Sequence, residues 1–369
     1  MSSLEKKKKL SPITSLPDDL LLSIVARVSR LYYTTLSLVS KSFRSLLASP
    51  DLYKTRSLLG NTESCLYVCF QCNPGYRWFT LCRKPDQTLT NDTSGYVLAT
   101  VPSPRFHKAC FSSLVAVGSD IYNIHAPSSS NVSVLDCRSH TWREAPAPTL
   151  PVKELSISAS VIGRKIYVVG CYNNRISPKP LKVLDTKTQV WETIPCKGKR
   201  DYKFKNSKST CIDGKFHVVT ERKEVVAYNP KESRWDLVEQ WFDEYNYMRS
   251  VSYCDIKNVL YSVYNRMVIW YDTEPEVSRW RYLEVGELPT FPPGVSVRLA
   301  DYGGKLAGVW DDDLFYGQSS FVHKKKILCA VVALERRKSG EIFGKVEWLG
   351  HVLTIPREYD FVKALAATV

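Results

Sequence analysis

The chain has 369 residues, 44% of them hydrophobic, nine Trp and a net charge of +14. That apolar content excludes a disordered chain, and the basic balance favours acidic partners without naming one. The longest apolar run, Ile327 to Leu334, has eight residues, so no membrane-spanning helix and no membrane partner is expected.

Residues 1–10 carry Lys6 to Lys9 and are expected to be a disordered basic tail. Leu10-Ser11-Pro12 stands where a secretory signal would have its apolar core. Eleven scattered cysteines, an odd number, then point to free thiols in a reducing compartment, cytoplasmic and/or nuclear.

A helical unit is predicted over 11–60. Pro17 suits a first helical position, and Asp18 and Asp19 complement the dipole of the helix they begin. Leu20, Leu21, Ile24, Val25 and Val28 form an apolar stripe at helical spacing, and Leu36, Val39, Phe43, Leu46 and Leu47 form a second that Ser49-Pro50 ends. So few short helices bury too little surface to fold alone, which calls for a neighbour or a partner over the stripe.

Leu16-Pro17-Asp18-Asp19-Leu20-Leu21, Leu38-Val39-Ser40-Lys41-Ser42-Phe43 and Leu46-Leu47-Ala48-Ser49-Pro50 together resemble an F-box. That family motif docks the Skp-type adaptor of cullin-RING ubiquitin ligases. The resemblance covers residues 12–57 and implies adaptor contacts at or near Leu16, Pro17, Leu20, Ile24, Val39 and Lys41.

From Cys65 onward period two replaces the helical period. Cys69 and Cys72 have CxxC spacing, with Cys65 and Cys82 nearby. Positions three apart on a strand face opposite sides, so neither a metal site nor a cofactor is expected. Later units open with an apolar strand and turn tightly, as at Gly118-Ser119-Asp120, Gly163-Arg164, Asp213-Gly214 and Gly303-Gly304.

Each third strand then meets an Asp or Asn six residues before a Trp: Asp136 and Trp142, Asp185 and Trp191, Asn229 and Trp235. Tyr271-Asp272 with Trp280 is a looser copy. The Trp spacings of 49, 44 and 45 residues fit one propeller blade each, with the indoles as wedges between blades.

Four antiparallel strands per unit resemble the kelch repeat, although of its Gly-Gly pair only Gly170 survives. Head and array together resemble the plant F-box/kelch-repeat proteins over nearly the whole chain. The predicted fold is mainly β: a kelch-type β-propeller over 61–369 behind a small all-α head. Leu66–Phe70 and Arg77–Leu81 read as the outer strands of a blade whose first strand Phe361 to Val369 supplies. That closure gives six blades, five being the other count the spacings allow.

In an up-and-down blade the connections between strands two and three and between blades share one face, where the loops are long. Lys197, Lys199, Arg200, Lys203, Lys205 and Lys208 cluster there with Lys324, Lys325 and Lys326. Trp241, Phe242, Tyr245, Tyr247 and Phe291 add aromatic anchors. Lys199, Arg200, Lys203, Trp241, Tyr245 and Phe291 are the candidate contacts to a protein substrate, an acidic segment suiting them best; a solvated rim is the bland alternative. Asp311 to Asp313 read as a loop.

The resemblance implies a non-catalytic substrate receptor of an SCF-type ubiquitin ligase, binding a Skp-type adaptor and through it a cullin. The six His, at 107, 125, 140, 217, 323 and 351, show no ligand spacing, so no catalytic residues are assigned. The alternative is an RNA-binding or scaffold protein using the basic face, with nucleic acid the weaker partner.

Overall fold

The computed structural model describes residues 16–73, 75–84, 95–104, 109–124, 131–146, 154–172, 181–195, 204, 208–220, 224–238, 253–272, 280–312 and 324–369. Among these, four α-helices form the head: α1 (Asp18–Val25), α2 (Tyr33–Val39), α3 (Lys41–Ala48) and α4 (Pro50–Leu58). Pro17 stands just outside α1 rather than opening it, and its carbonyl accepts the Leu21 N–H at 3.0 Å. The apolar run from Leu36 to Leu47 is divided at Ser40. Its backbone is extended, and its hydroxyl caps α3 by accepting the Phe43 N–H at 3.1 Å. Ser49 caps α4 in the same way, ahead of Pro50.

Six sheets follow, five of four strands and one of five. Their innermost strands are Asp360–Thr368, Leu114–Val117, Glu154–Ile162, Ser209–Ile212, Tyr253–Ile256 and Val297–Tyr302. These touch in that order and close on themselves, so the array is a six-bladed β-propeller. Blades are numbered here from the one that holds the last strand.

Blade 1 joins the two ends of the array, as the sequence predicts. Asp360–Thr368 pairs antiparallel with Ser64–Cys72, from Ser64 opposite Thr368 to Gln71 opposite Asp360. The other strands of this blade differ from expectation: Ser64–Cys72 and Gly75–Arg83 are second and third rather than outer, and Tyr96–Val101 is the outermost. Leu98 and Val101 are buried, so this segment has a sheet face to cover.

One turn recurs in blades 2, 3 and 4. Asp136, Asp185 and Asn229 accept the N–H two residues on, at 2.9, 2.8 and 3.0 Å. His140, Gln189 and Ser233 then take positive φ of 56°, 58° and 52°, and two residues later a Trp begins the return. The register sets Trp142 opposite Leu135, Trp191 opposite Leu184 and Trp235 opposite Tyr228; in blade 5 Trp280 faces Tyr271. The Trp142 indole N–H donates to the Pro102 carbonyl at 2.8 Å and that of Trp191 to Pro146 at 2.7 Å, the first acceptor just past and the second at the end of the preceding blade's outer strand. These two indoles are therefore wedges between blades.

Blade 6 is the irregular one. Its third and fourth strands, Lys324–Arg336 and Ile342–Pro356, have 13 and 15 residues, and the short strand Glu284–Val285 pairs parallel with Phe343 and Gly344. A Cβ at Gly344 would lie 2.6 Å from a Val285 methyl, so only glycine admits that neighbour. Asp311 and Asp312, expected in a loop, complete the strand Lys305–Asp312.

Candidate interaction surfaces

Head and ring share one apolar core, in which Leu21, Val25, Phe43 and Leu47 join Tyr67, Trp78, Leu135 and Val369. Two buried arginines lock the seam. The Arg30 guanidinium donates to the Cys137 carbonyl at 2.7 Å, to that of Arg138 at 3.1 Å, and to the Tyr53 hydroxyl. Burial opposes its charge, but Tyr53, Tyr67, Cys65 and Cys137 together outweigh that and leave its pKa raised. Arg56 donates to the carbonyls of Val28 and Asn61 at 2.7 and 2.6 Å and pairs with Glu63 at 3.2 Å.

Beneath Arg30, the Tyr67 hydroxyl and His140 Nε2 lie 2.9 Å apart, and burial drives His140 down to about 4, so it is neutral at pH 7. Neither arginine stands among the expected site residues, because a basic side chain on a short helix reads as surface.

The seam uses only part of the head's apolar surface. On α1, Leu21 and Val25 are buried, while Leu20 and Ile24, one turn apart, are 47% and 38% exposed. At the end of α2, Leu38 and Val39 are 71% and 62% exposed. Of the expected adaptor contacts, Pro17, Leu20, Ile24, Val39 and Lys41 are exposed and Leu16 is half-buried. Leu38 is absent from the sequence-derived set although it is more exposed than Val39; its adjacency to Val39 within one motif was the available signal.

The turn that receives Arg30 lies with the first hairpins of the blades, since the Cys137 N–H donates to the Ser119 carbonyl at 2.9 Å. The head therefore covers the short-turn face. The contacts expected on the opposite face fare unevenly. Lys199, Arg200, Lys203, Trp241 and Tyr245 lie outside the described residues. Phe291 is 3% exposed, packed edge-on to Trp310 with ring centroids 5.2 Å apart, so it is a core ring rather than a surface anchor. Its carbonyl accepts the Arg266 Nε–H at 2.6 Å, which fixes the segment inward. Lys325 is likewise buried, paired with Asp311 at 3.0 Å, while Lys324 and Lys326 are exposed.

Residues 13–55 match the F-box domain, and residues 78–353 match the family described as FKB95, Kelch-repeats domain. The chain belongs to the F-box/kelch-repeat family. F-box/kelch-repeat protein At5g51250 of Arabidopsis thaliana is 54% identical over 378 residues, covering 97% of this chain and 100% of that one. F-box/kelch-repeat protein At3g06570 of the same plant is 52% identical over 382 residues, covering 96% and 93%. At4g39550, named likewise, is 47% identical over 403 residues and covers both chains in full. F-box domains in general bind Skp1-type adaptors, so the uncovered part of this F-box head is the surface of first interest.

Proposed function

We propose that this chain is the substrate-recognition subunit of an SCF-type ubiquitin ligase, acting in the cytoplasm and/or nucleus. Its head docks on a Skp-type adaptor and through it a cullin; its propeller holds a protein for ubiquitination and degradation. The chain carries out no bond chemistry on this reading. It raises the local concentration of substrate lysines beside a charged ubiquitin-conjugating enzyme.

The observation that carries the reading is the division of the head. Leu21 and Val25 are buried in the core that head and ring share, while Leu20, Ile24, Leu38 and Val39 stay uncovered. Exposed apolar side chains grouped on a small helical unit are explained by a protein that covers them. The arginine-locked seam suits the same role, because a receptor must hold its cargo in a fixed relation to the adaptor.

Co-purification from plant cells tests it. Tagged wild-type chain is expected to retain adaptor and cullin, and Leu20→Glu/Ile24→Glu to lose both while melting normally. Equal recovery of the adaptor from the two would contradict the docking.

A further inference from the structure

The six innermost strands line a channel of about 370 Å³, and its two ends differ in charge. At the head-side end, Asp255 and Asp301 stand beside the hairpins at Lys257-Asn258 and Gly303-Gly304. Burial, reinforced by Asp301, pushes the Asp255 carboxyl up to about 6. The far end carries the opposite sign. Lys208 immediately precedes the inner strand of blade 4, Arg298 is the second residue of Val297–Tyr302, and Lys363 is near the start of Asp360–Thr368.

Lys363 lines the channel. Its ammonium donates to the carbonyls of Phe111 and Leu114 at 2.9 and 2.7 Å and lies 4.4 Å from the Phe111 ring centroid. Two of its three N–H groups are thereby used, and the third meets no protein acceptor among the described residues. Arg298 spends its donors on the carbonyls of Val297, Phe361 and Val362.

Neither Lys363 nor Arg298 has an ion-pair partner among the described residues; Asp311, the carboxylate that acts on Arg298, is committed to Lys325 at 3.0 Å. Burial and repulsion from Arg298 bring Lys363 down to about 7 and Lys208 down to about 8. Cations withdrawn from bulk water are ordinarily neutralised by a partner, and around Lys363 and Arg298 the described chain supplies carbonyl dipoles instead. An anion arriving from outside would meet a charge-assisted donor and two further cations behind it.

We propose that this cationic mouth receives a carboxylate side chain from the protein held on the long-loop face, so that the substrate docks an acidic segment over the ring axis. The proposal rests on the ligase reading and names the substrate's chemistry. Asp255 and Asp301 put carboxylates at the other end, offset in part by Lys257, so the far mouth is the more favourable entry for an anion.

A fluorescein-labelled hexaglutamate peptide, followed by anisotropy at low salt on the full chain, tests it. Wild type and Lys363→Arg are expected to bind, Lys363→Met to bind at least tenfold more weakly, and Lys187→Met, which removes an exposed lysine on the head side, to match wild type. Equal binding by wild type and Lys363→Met overturns the proposal, as does an equal loss in Lys187→Met.

Should Lys363→Met not fold, the Lys363 Nζ resonance of wild type answers instead: hexaglutamate shifts it and hexalysine does not, and an unmoved resonance overturns the proposal. The two readings fail separately. A chain that binds hexaglutamate through Lys363 yet retains no adaptor refutes the ligase role alone. A chain that retains adaptor but binds hexaglutamate equally without Lys363 refutes the acidic docking alone.

Discussion

Glu63 and Val369 exchange both backbone hydrogen bonds, the Glu63 N–H donating to the Val369 carbonyl at 2.7 Å and the Val369 N–H returning to the Glu63 carbonyl at 2.8 Å. The residue that leaves the head is thus paired with the last residue of the chain. The Glu63 carboxylate also accepts the Arg30 N–H at 2.7 Å and pairs with Arg56 at 3.2 Å. Ring closure and head seating therefore meet at one position.

Deleting residues 360–369 removes the innermost strand of blade 1 together with the buried Phe361, Val362, Ala364, Leu365 and Val369. Domains of this kind are stable by only about 5–15 kcal/mol, less than such a loss. The truncated chain is expected to show no cooperative thermal transition, which circular dichroism would record.

Arg30→Met keeps the side chain's bulk and removes its donors, leaving the carbonyls of Cys137 and Arg138 with only the Tyr67 and Tyr53 hydroxyls as donors. A cost of about 1.5–3 kcal/mol is expected, the worth of a charged hydrogen bond, because each carbonyl keeps one donor. The urea midpoint should fall. Limited proteolysis should cut between α4 and the first strand sooner than in wild type.

Trp191→Phe preserves a ring in the gap between blades 2 and 3 but deletes the N–H that Pro146 accepts. The expected loss is about 1 kcal/mol, the worth of one ordinary hydrogen bond. Trp142→Phe should cost a similar amount through Pro102, and the two losses should add in the double variant, because the indoles serve different blade junctions.

Acid should loosen the seam through His140, held by burial at about 4 against an ordinary 6.5. Between those values the unfolded chain binds a proton that the folded chain refuses, so stability falls as pH drops from 6.5 towards 4. His140→Gln removes that proton, and Gln189 already occupies the same positive-φ position in blade 3. Relative to this variant, wild type is expected to lose up to roughly 3 kcal/mol on acidification. Urea midpoints of both proteins at pH 7 and pH 4.5 give the difference.

Much of the ring is legible in the residues alone, because its cues are local. Asp213-Gly214 imposes positive φ of 51° and 66° and hence a two-residue hairpin; each Asp or Asn before a Trp makes its own turn. The closing strand shows in the sequence because an apolar C-terminal segment must find a partner. Tyr96–Val101 does not, since its pairing with Gly75–Arg83 is long-range and its own pattern is short.

The site is legible only in part. Leu20, Leu21, Ile24 and Val25 share one apolar stripe, and only packing decides that Leu21 and Val25 turn inward to the core while Leu20 and Ile24 turn to the surface. Phe291 misleads for the converse reason: an aromatic flanked by Pro and Gly reads as a loop anchor, yet Trp310 buries it. Arg30 and Lys363 carry no local mark at all, because their acceptors are carbonyls distant in the sequence, brought in by blade 2.

The most direct test of the account is calorimetric titration of a purified Skp1-type adaptor into the full chain, wild type beside Leu38→Glu/Val39→Glu. Both side chains are exposed, so the substitutions should change stability by no more than about 0.5 kcal/mol each. The account predicts saturable binding to wild type and at least a hundredfold weaker binding to the variant. Equal affinity for the two proteins, or no heat of binding to wild type at all, would contradict it.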